Sequence, residues 1–284
     1  MNIISQAIRL VRSGLTSSGY YKAMNQALWR INEEYTMLHY PLYMSDSDTF
    51  LQSQTNLTDF CISKLGDVKN KRILEIGCGN GVQSMYILRK YMPANITGVD
   101  LSSENIAIAN RQKESMGIEN ARFLVDDAQN LKHIDNEGFD VVLNIESAFH
   151  YPDKPSFLKE LHRVLKPGGQ FLIADVLTKR IKAVAGKKFW KKKMVLHHWK
   201  LDNYLREFPV NKLTLTNQDD ITINVIRGFR NYPNWLRQMR RKNILSDLAF
   251  RIFYIVNIRL NIHLLRTKRQ YLVFAGIKPP YYHP

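Results

Sequence analysis

The segment Glu75-Ile76-Gly77-Cys78-Gly79-Asn80-Gly81 constrains this chain more than any other. It continues the apolar run Arg72-Ile73-Leu74-Glu75-Ile76, which reads as a buried strand. After it, Val82, Met85, Tyr86 and Leu88 fall on one face of a helix. A strand that turns through glycines into a helix brings backbone close to a ligand and points unpaired N–H groups at it.

The same alternation continues downstream. Asn95–Asp100, Arg122–Val125, Phe139–Asn144 and Gln170–Asp175 read as further strands. A helix from Asn105 stops at Gly117, and another from Pro155 to Leu165 closes on the turn Lys166-Pro167-Gly168-Gly169. Strands alternating with helices predict an α/β, doubly wound, Rossmann-like parallel sheet. Asp220–Val225 and Gln270–Ala275 are expected to add strands near the C-terminus. The 284 residues suffice for one sizeable core. We divide them into a helical N-terminal cap (1–66), a nucleotide-binding core (67–178), and basic lid helices with the final strands (179–284).

The glycine spacing is G-x-G-x-G, and Val82 stands where a dinucleotide site needs its last glycine. No pyrophosphate need be accommodated, which favours S-adenosylmethionine (SAM) over NAD. Asp100 ends the second strand, where a carboxylate can accept hydrogen bonds from both ribose hydroxyls. Asp127-Ala128 follows the third strand, at a point where adenine can be read, with Asp126 as a neighbouring alternative.

Leu74–Gly81, Gly98-Val99-Asp100-Leu101-Ser102, Asp127-Ala128 and Leu165-Lys166-Pro167-Gly168-Gly169 together resemble the class I SAM-dependent methyltransferases over Ile73–Asp175. The resemblance implies a seven-stranded sheet whose last strand is antiparallel, fitted by Tyr271–Ala275. It implies that Glu75 holds the loop near the methionine amino group. Gly77 and Gly79 would pass the methionine part, Asp100 the ribose, and Asp127 the adenine. Cys78, Gly81, Leu101, Ala128 and Asn144 complete the expected cofactor-binding set.

At the end of the fourth strand lies Asn144-Ile145-Glu146-Ser147-Ala148-Phe149-His150-Tyr151-Pro152. Methyl transfer from a sulfonium needs an oriented acceptor and, for a hydroxyl, a base. His150 is the candidate base, since histidine titrates near neutral pH. Glu146–Tyr151 resembles small-molecule methyltransferases of the sterol, tocopherol and natural-product type. That resemblance implies a carboxylate ending the fifth strand, here Asp175, as His150's partner in activating a hydroxyl. It also sets Tyr40 in a segment covering the cofactor.

A net charge of +16 demands an anionic counterpart. Lys179–Lys200 is basic, with Phe189, Trp190 and Trp199 interleaved, and Arg227–Arg269 holds many cations against the single acid Asp247. Nucleic acid is the lesser reading, because Asn144-Ile145-Glu146-Ser147 lacks the prolines with which amino-methylating DNA enzymes hold a flipped base. A SAM-binding regulatory protein without turnover is a further alternative. The preferred partner is a lipid-like or natural-product acceptor; the basic segments read first as a solvated face over a packed helix, with peripheral contact to an anionic membrane as the sharper alternative. Two cysteines, Cys61 and Cys78, make no disulfide framework, the start shows no secretory signal, and a cytoplasmic location is expected. Asp219-Asp220 lack further ligands, so no metal is expected.

Overall fold

The computed structural model describes residues 34–179, 196–238 and 244–280, preceded by Gly19, Tyr21, Lys22, 24–26 and Trp29; over 232–254 only the backbone is described. The first 18 residues of the expected helical cap and most of the basic stretch, 180–195, lie outside these residues.

Helix α1 (Phe50–Ser63) begins at Thr49, which forms a reciprocal capping box with Gln52. The core then alternates β1 (Arg72–Ile76), α2 (Val82–Tyr91), β2 (Asn95–Asp100), α3 (Ser103–Ser115), β3 (Ala121–Val125), β4 (Phe139–Ile145), α4 (Lys154–Val164) and β5 (Leu165–Thr178). Ser102 caps α3 and Asp153 caps α4. Then come α5 (Leu201–Val210), β6 (Thr214–Asp220), α6 (Thr222–Gln238), α7 (Ile244–Thr267) and β7 (Arg269–Ile277).

The strands form one seven-stranded sheet in the order β3-β2-β1-β4-β5-β7-β6. All neighbours from β3 to β5 are parallel, and β7 runs antiparallel to both β5 and β6. Period-two alternation divides the core between the two faces. Leu172, Ala174, Val176, Tyr271 and Val273 pack on one side, with Leu57 and Cys61 of α1 and Ile258 of α7. Phe171, Ile173, Leu272 and Phe274 pack on the other, with Phe157 and Leu161 of α4 and Tyr204 and Phe208 of α5. Strand order reverses between β1 and β4, so the crevice beyond their carboxyl ends is the switch point where such sheets bind ligands.

Two expectations are corrected. Thr222–Val225 is the start of a helix, not a strand. Asp220 accepts from the Thr222 backbone and hydroxyl, and Ile221, Val225 and Phe229 recur at intervals of four on a buried face. The strand sits just before it, in the polar run Thr214–Asp220 at the sheet edge. Nor is the cap helical throughout, since Glu34–Asp48 is non-helical. Pro41 disfavours helical backbone at Tyr40, and Asp48 accepts from the Met44 and Ser45 amides to form a turn.

Candidate active site

The glycine loop is tied to the end of β2, where Gly77 N and Cys78 N both donate to the Val99 carbonyl, at 2.7 and 3.0 Å. Gly77 has φ +77°, and a Cβ there would lie 2.2 Å from Ser147 Oγ. Its missing side chain lets the loop meet the turn that follows β4. Gly81, also left-handed at φ +79°, serves a different contact, since a Cβ there would lie 2.7 Å from Ala109 Cβ on α3. It packs helix on helix and is not on the cavity wall.

The loop opens on a cavity of about 590 Å³, a size typical of small-molecule sites. Glu75, Gly77, Cys78, Gly79, Asp100, Leu101, Asp127 and Ala128 all line it, as the sequence leads one to expect. Asp100 accepts from Gly79 N at 3.0 Å and Ser102 N at 2.8 Å, while burial raises its carboxyl above the usual range against these bonds. Of the two adjacent aspartates, Asp126 is spent on its own loop, accepting from the amides of Asp127, Lys132 and His133. Asp127 uses Oδ1 to hold Gln129. Burial pushes Glu75 up to about 7, opposed by the Ser84 hydroxyl that donates to it. The Cys78 thiol is raised far above its ordinary value by burial and is no nucleophile.

Gln83, in the first turn of α2, is a wall residue that sequence reasoning missed. Its buried Nε2 has no protein partner among the described residues. The N-cap Gly81 has no side chain to cap this helix, and Asn80 Oδ1 accepts from the Val82 amide alone, at 3.3 Å. Unpaired donors around a glycine turn fit an anionic ligand group, such as the carboxylate of a bound amino acid.

The other end of the cavity is built by the single 3-10 turn Ala148–His150 and by the cap. His150 lines it, and Tyr21 Oη lies 2.9 Å from His150 Nε2. Tyr21, Met37, Leu38 and His39 of the cap cover the space. Asn80 Nδ2 donates to Asn25 Oδ1 (2.9 Å) and to the Thr36 carbonyl (2.9 Å), joining cap to loop. Tyr40 itself turns away. Its ring packs on Phe229 and its hydroxyl donates to Asn261, while its amide donates to Glu146 Oε1 at 2.7 Å.

Glu146 is the second missed residue. It is buried on the cavity wall with a left-handed backbone, φ +54°, a conformation that strains a non-glycine residue. Burial raises its carboxyl to about 8, and the nearby Asp175 charge pushes the same way.

Asn144 and Asp175 do not reach the wall. Asn144 Nδ2 donates to the Ile76 carbonyl (3.0 Å), Ser147 Oγ (2.7 Å) and Tyr151 Oη (3.0 Å), locking the turn to β1. Asp175 is fully buried behind the turn and accepts from Tyr204 Oη (2.7 Å) and from the Val176 amide (2.8 Å). It is also hydrogen-bonded to the Phe149 backbone, next to His150. Burial lifts it to about 6 against the neighbouring Lys154 charge. From there it touches the His150 turn through the Phe149 backbone and does not line the cavity. No cluster of potential metal ligands occurs among the described residues.

The profile of a methyltransferase-domain family matches residues 67–222, more than half of the chain. The chain belongs to this methyltransferase family. Among its relatives is the phthiotriol/phenolphthiotriol dimycocerosates methyltransferase of Mycobacterium leprae, 33% identical over 184 residues, which cover 65% of this chain and 60% of that protein. The fatty-acid O-methyltransferase of Mycolicibacterium smegmatis is 46% identical over 109 residues, 38% of each chain. The matched part thus spans about 60% or less of these curated relatives. Among solved structures, phosphoethanolamine N-methyltransferase 2 of Haemonchus contortus superposes with a TM-score of 0.77 at 16% identity, covering 93% of this chain and 58% of that one. That likeness establishes the Rossmann-like methyltransferase fold for this chain.

Proposed function

We propose that this methyltransferase transfers the methyl group of SAM to an oxygen of a lipid-like small molecule. The observation that carries the reading is one continuous cavity with a nucleoside-type wall at one end and the Tyr21–His150 pair at the other. The lipid-like acceptor is supported by the two named relatives, whose names specify a fatty acid and phthiotriol or phenolphthiotriol dimycocerosates. The same reading puts the protein at anionic membrane surfaces, in keeping with its net charge of +16. Among the described residues no helix is long and apolar enough to cross a membrane.

SAM supplies an activated methyl on a sulfonium, a good leaving group. The chain's task is to bind, orient and deprotonate. Asp100 is assigned to the ribose, Asp127 to the adenine, Glu75 and Gln83 to the charged amino-acid end, and Gly77 and Gly79 to close backbone approach. Cys78, Leu101 and Ala128 complete the wall. A hydroxyl acceptor gives its proton to the Tyr21 hydroxyl as that hydroxyl passes its own to His150 Nε2, and Asp175 holds the turn from behind. The acceptor oxygen then forms its bond to the methyl carbon as the carbon–sulfur bond breaks.

His150→Ala is expected to lower turnover of a hydroxyl acceptor by about 10² to 10⁴, the usual contribution of a general base. SAM affinity, measured calorimetrically, should stay unchanged. Full turnover in that variant removes His150 from the mechanism, and absence of SAM binding in the wild type removes the whole reading. Methyl transfer to oligonucleotides with none to lipids would instead favour nucleic acid.

A further inference from the structure

We infer that the outer face of the C-terminal half of α7 is a docking surface for anionic lipid bilayers, placed beside the cavity. At 3.6 residues per turn, Ile258, Asn261, Ile262 and Leu265 share the inner side of this helix. Ile258 and Leu265 are buried there, and Ile262 packs against the core. Val256, Arg259, Leu260, His263 and Arg266 recur at intervals of three and four on the opposite side, and all are exposed. Val256 is 60% and Leu260 54% exposed, so two neighbouring aliphatic side chains stand in water beside Arg259. From Ile255 to Arg269 the chain holds Arg259, Arg266, Lys268 and Arg269 and no acid.

The chemistry of this face selects its occupant. Aliphatic side chains flanked by cations on a helix parallel to a surface match the headgroup boundary of an anionic membrane, where apolar insertion and electrostatic attraction add. A second copy of the chain carries the same +16 charge and repels the first. Nucleic acid would satisfy the arginines but leave Val256 and Leu260 without a partner.

The inner side of the same helix explains why docking here serves the site. Asn261 accepts from the Tyr40 hydroxyl, and the Tyr40 amide donates to Glu146 on the cavity wall. One residue therefore separates α7 from the cavity. The helix itself is about 10 Å across. The end of α7 also meets the carboxyl edge of the sheet, where Lys179 N donates to the Lys268 carbonyl at 2.8 Å. A bilayer against Val256 and Leu260 would be separated from the cavity wall at Glu146 by the width of the helix and the one residue Tyr40. This inference goes beyond the acceptor reading and can fail separately from it.

The test uses the full chain with phosphatidylcholine vesicles and with mixed phosphatidylcholine–phosphatidylglycerol vesicles, at low and high salt. The wild type should cosediment only with the anionic vesicles, and less so at high salt. Val256→Asp/Leu260→Asp and Arg259→Glu/Arg266→Glu should each weaken that binding by at least about tenfold. Both should keep their thermal midpoint and their methyl transfer to a soluble short-chain acceptor. Vesicle binding unchanged in both variants overturns the inference, as does a wild type that binds no anionic vesicle at low salt. A dimer in gel filtration that dissociates in these variants, with vesicle binding intact, overturns it in favour of a second copy. Loss of vesicle binding in the variants, in a protein with no methyl transfer to any lipid, upholds the docking face and sinks the acceptor reading.

Discussion

Glu146 shows how one side chain ties chemistry to pH. Its carboxyl is buried on the cavity wall, bonded to the Tyr40 amide and raised to about 8. Below that value it is neutral, so it can donate a hydrogen bond to an acceptor oxygen and does not repel an anionic acceptor. Wild-type kcat/KM should therefore fall above about pH 8 as the group ionises. In Glu146→Gln, which stays neutral, the alkaline limb should be absent. An identical limb in both proteins would assign it to another group. His150 has a separate signature that depends on acceptor class. A carboxylic acid, with an ordinary value near 4 to 5, is already ionised at neutral pH and needs no base. His150→Ala should therefore impair hydroxyl acceptors far more than fatty-acid acceptors, measured as kcat on each. Equal loss on both classes would mean that His150 binds the acceptor and does not deprotonate it.

Between the residue and the fold stands the turn that carries His150. Ala148–His150 is held from behind by Asp175 at Phe149 and from the side by Leu196–Trp199, whose His197 amide donates to the Phe149 carbonyl at 2.7 Å. The buried Lys154 ammonium donates to the His197 carbonyl. Removing Asp175 leaves buried donors of Tyr204, Val176 and Phe149 without an acceptor, at about 1–3 kcal/mol per group. Asp175→Ala should lower kcat about tenfold or more while SAM affinity holds, and Asp175→Asn should recover most of the loss; the two variants behaving alike would make Asp175 a mere core residue. This layer is where the sequence stops being legible. The strands β1, β2, β4 and β5 were readable because buried parallel strands need continuous apolar runs, and the loop because only glycine tolerates Gly77's conformation against Ser147. Asp175 could be placed on its strand, but nothing in its spacing says that Tyr204, 29 positions on, shields it. Tyr21 and His150 meet across 129 positions, and no local pattern encodes that contact. The helical start at Thr222–Val225 is obscured because a β-branched run fits both periods until Phe229 is counted.

At the scale of the whole molecule, proton linkage among buried groups sets a pH preference for stability. Burial holds Glu75 near 7 and Glu146 near 8, above their ordinary value of 4.5, and Asp175 near 6. Such groups keep protons in the folded chain that the unfolded chain has released. Their stabilising contribution is complete below their ordinary values and is lost as pH rises through the folded ones. Two buried histidines act in the opposite sense, since burial lowers His39 to about 4 and His198 to about 3. The unfolded chain gains protons at these sites below about 6.5, so their contribution falls with falling pH. Below about 6.5 the two sets oppose one another. Between about 6.5 and 8 the histidines are neutral in the folded chain and lose their last protons in the unfolded one, so the carboxyls outweigh them. The thermal midpoint of the ligand-free protein should therefore drop across that window. Glu146→Gln should remove the later part of the drop. Saturating SAM should reduce the earlier part, because a bound ammonium beside Glu75 favours its ionised form. A midpoint that is flat or rising from pH 6.5 to 8 in the ligand-free wild type would show that these carboxyls are already ionised in the fold. The raised Glu146 value behind the alkaline limb of kcat/KM would then fall with it.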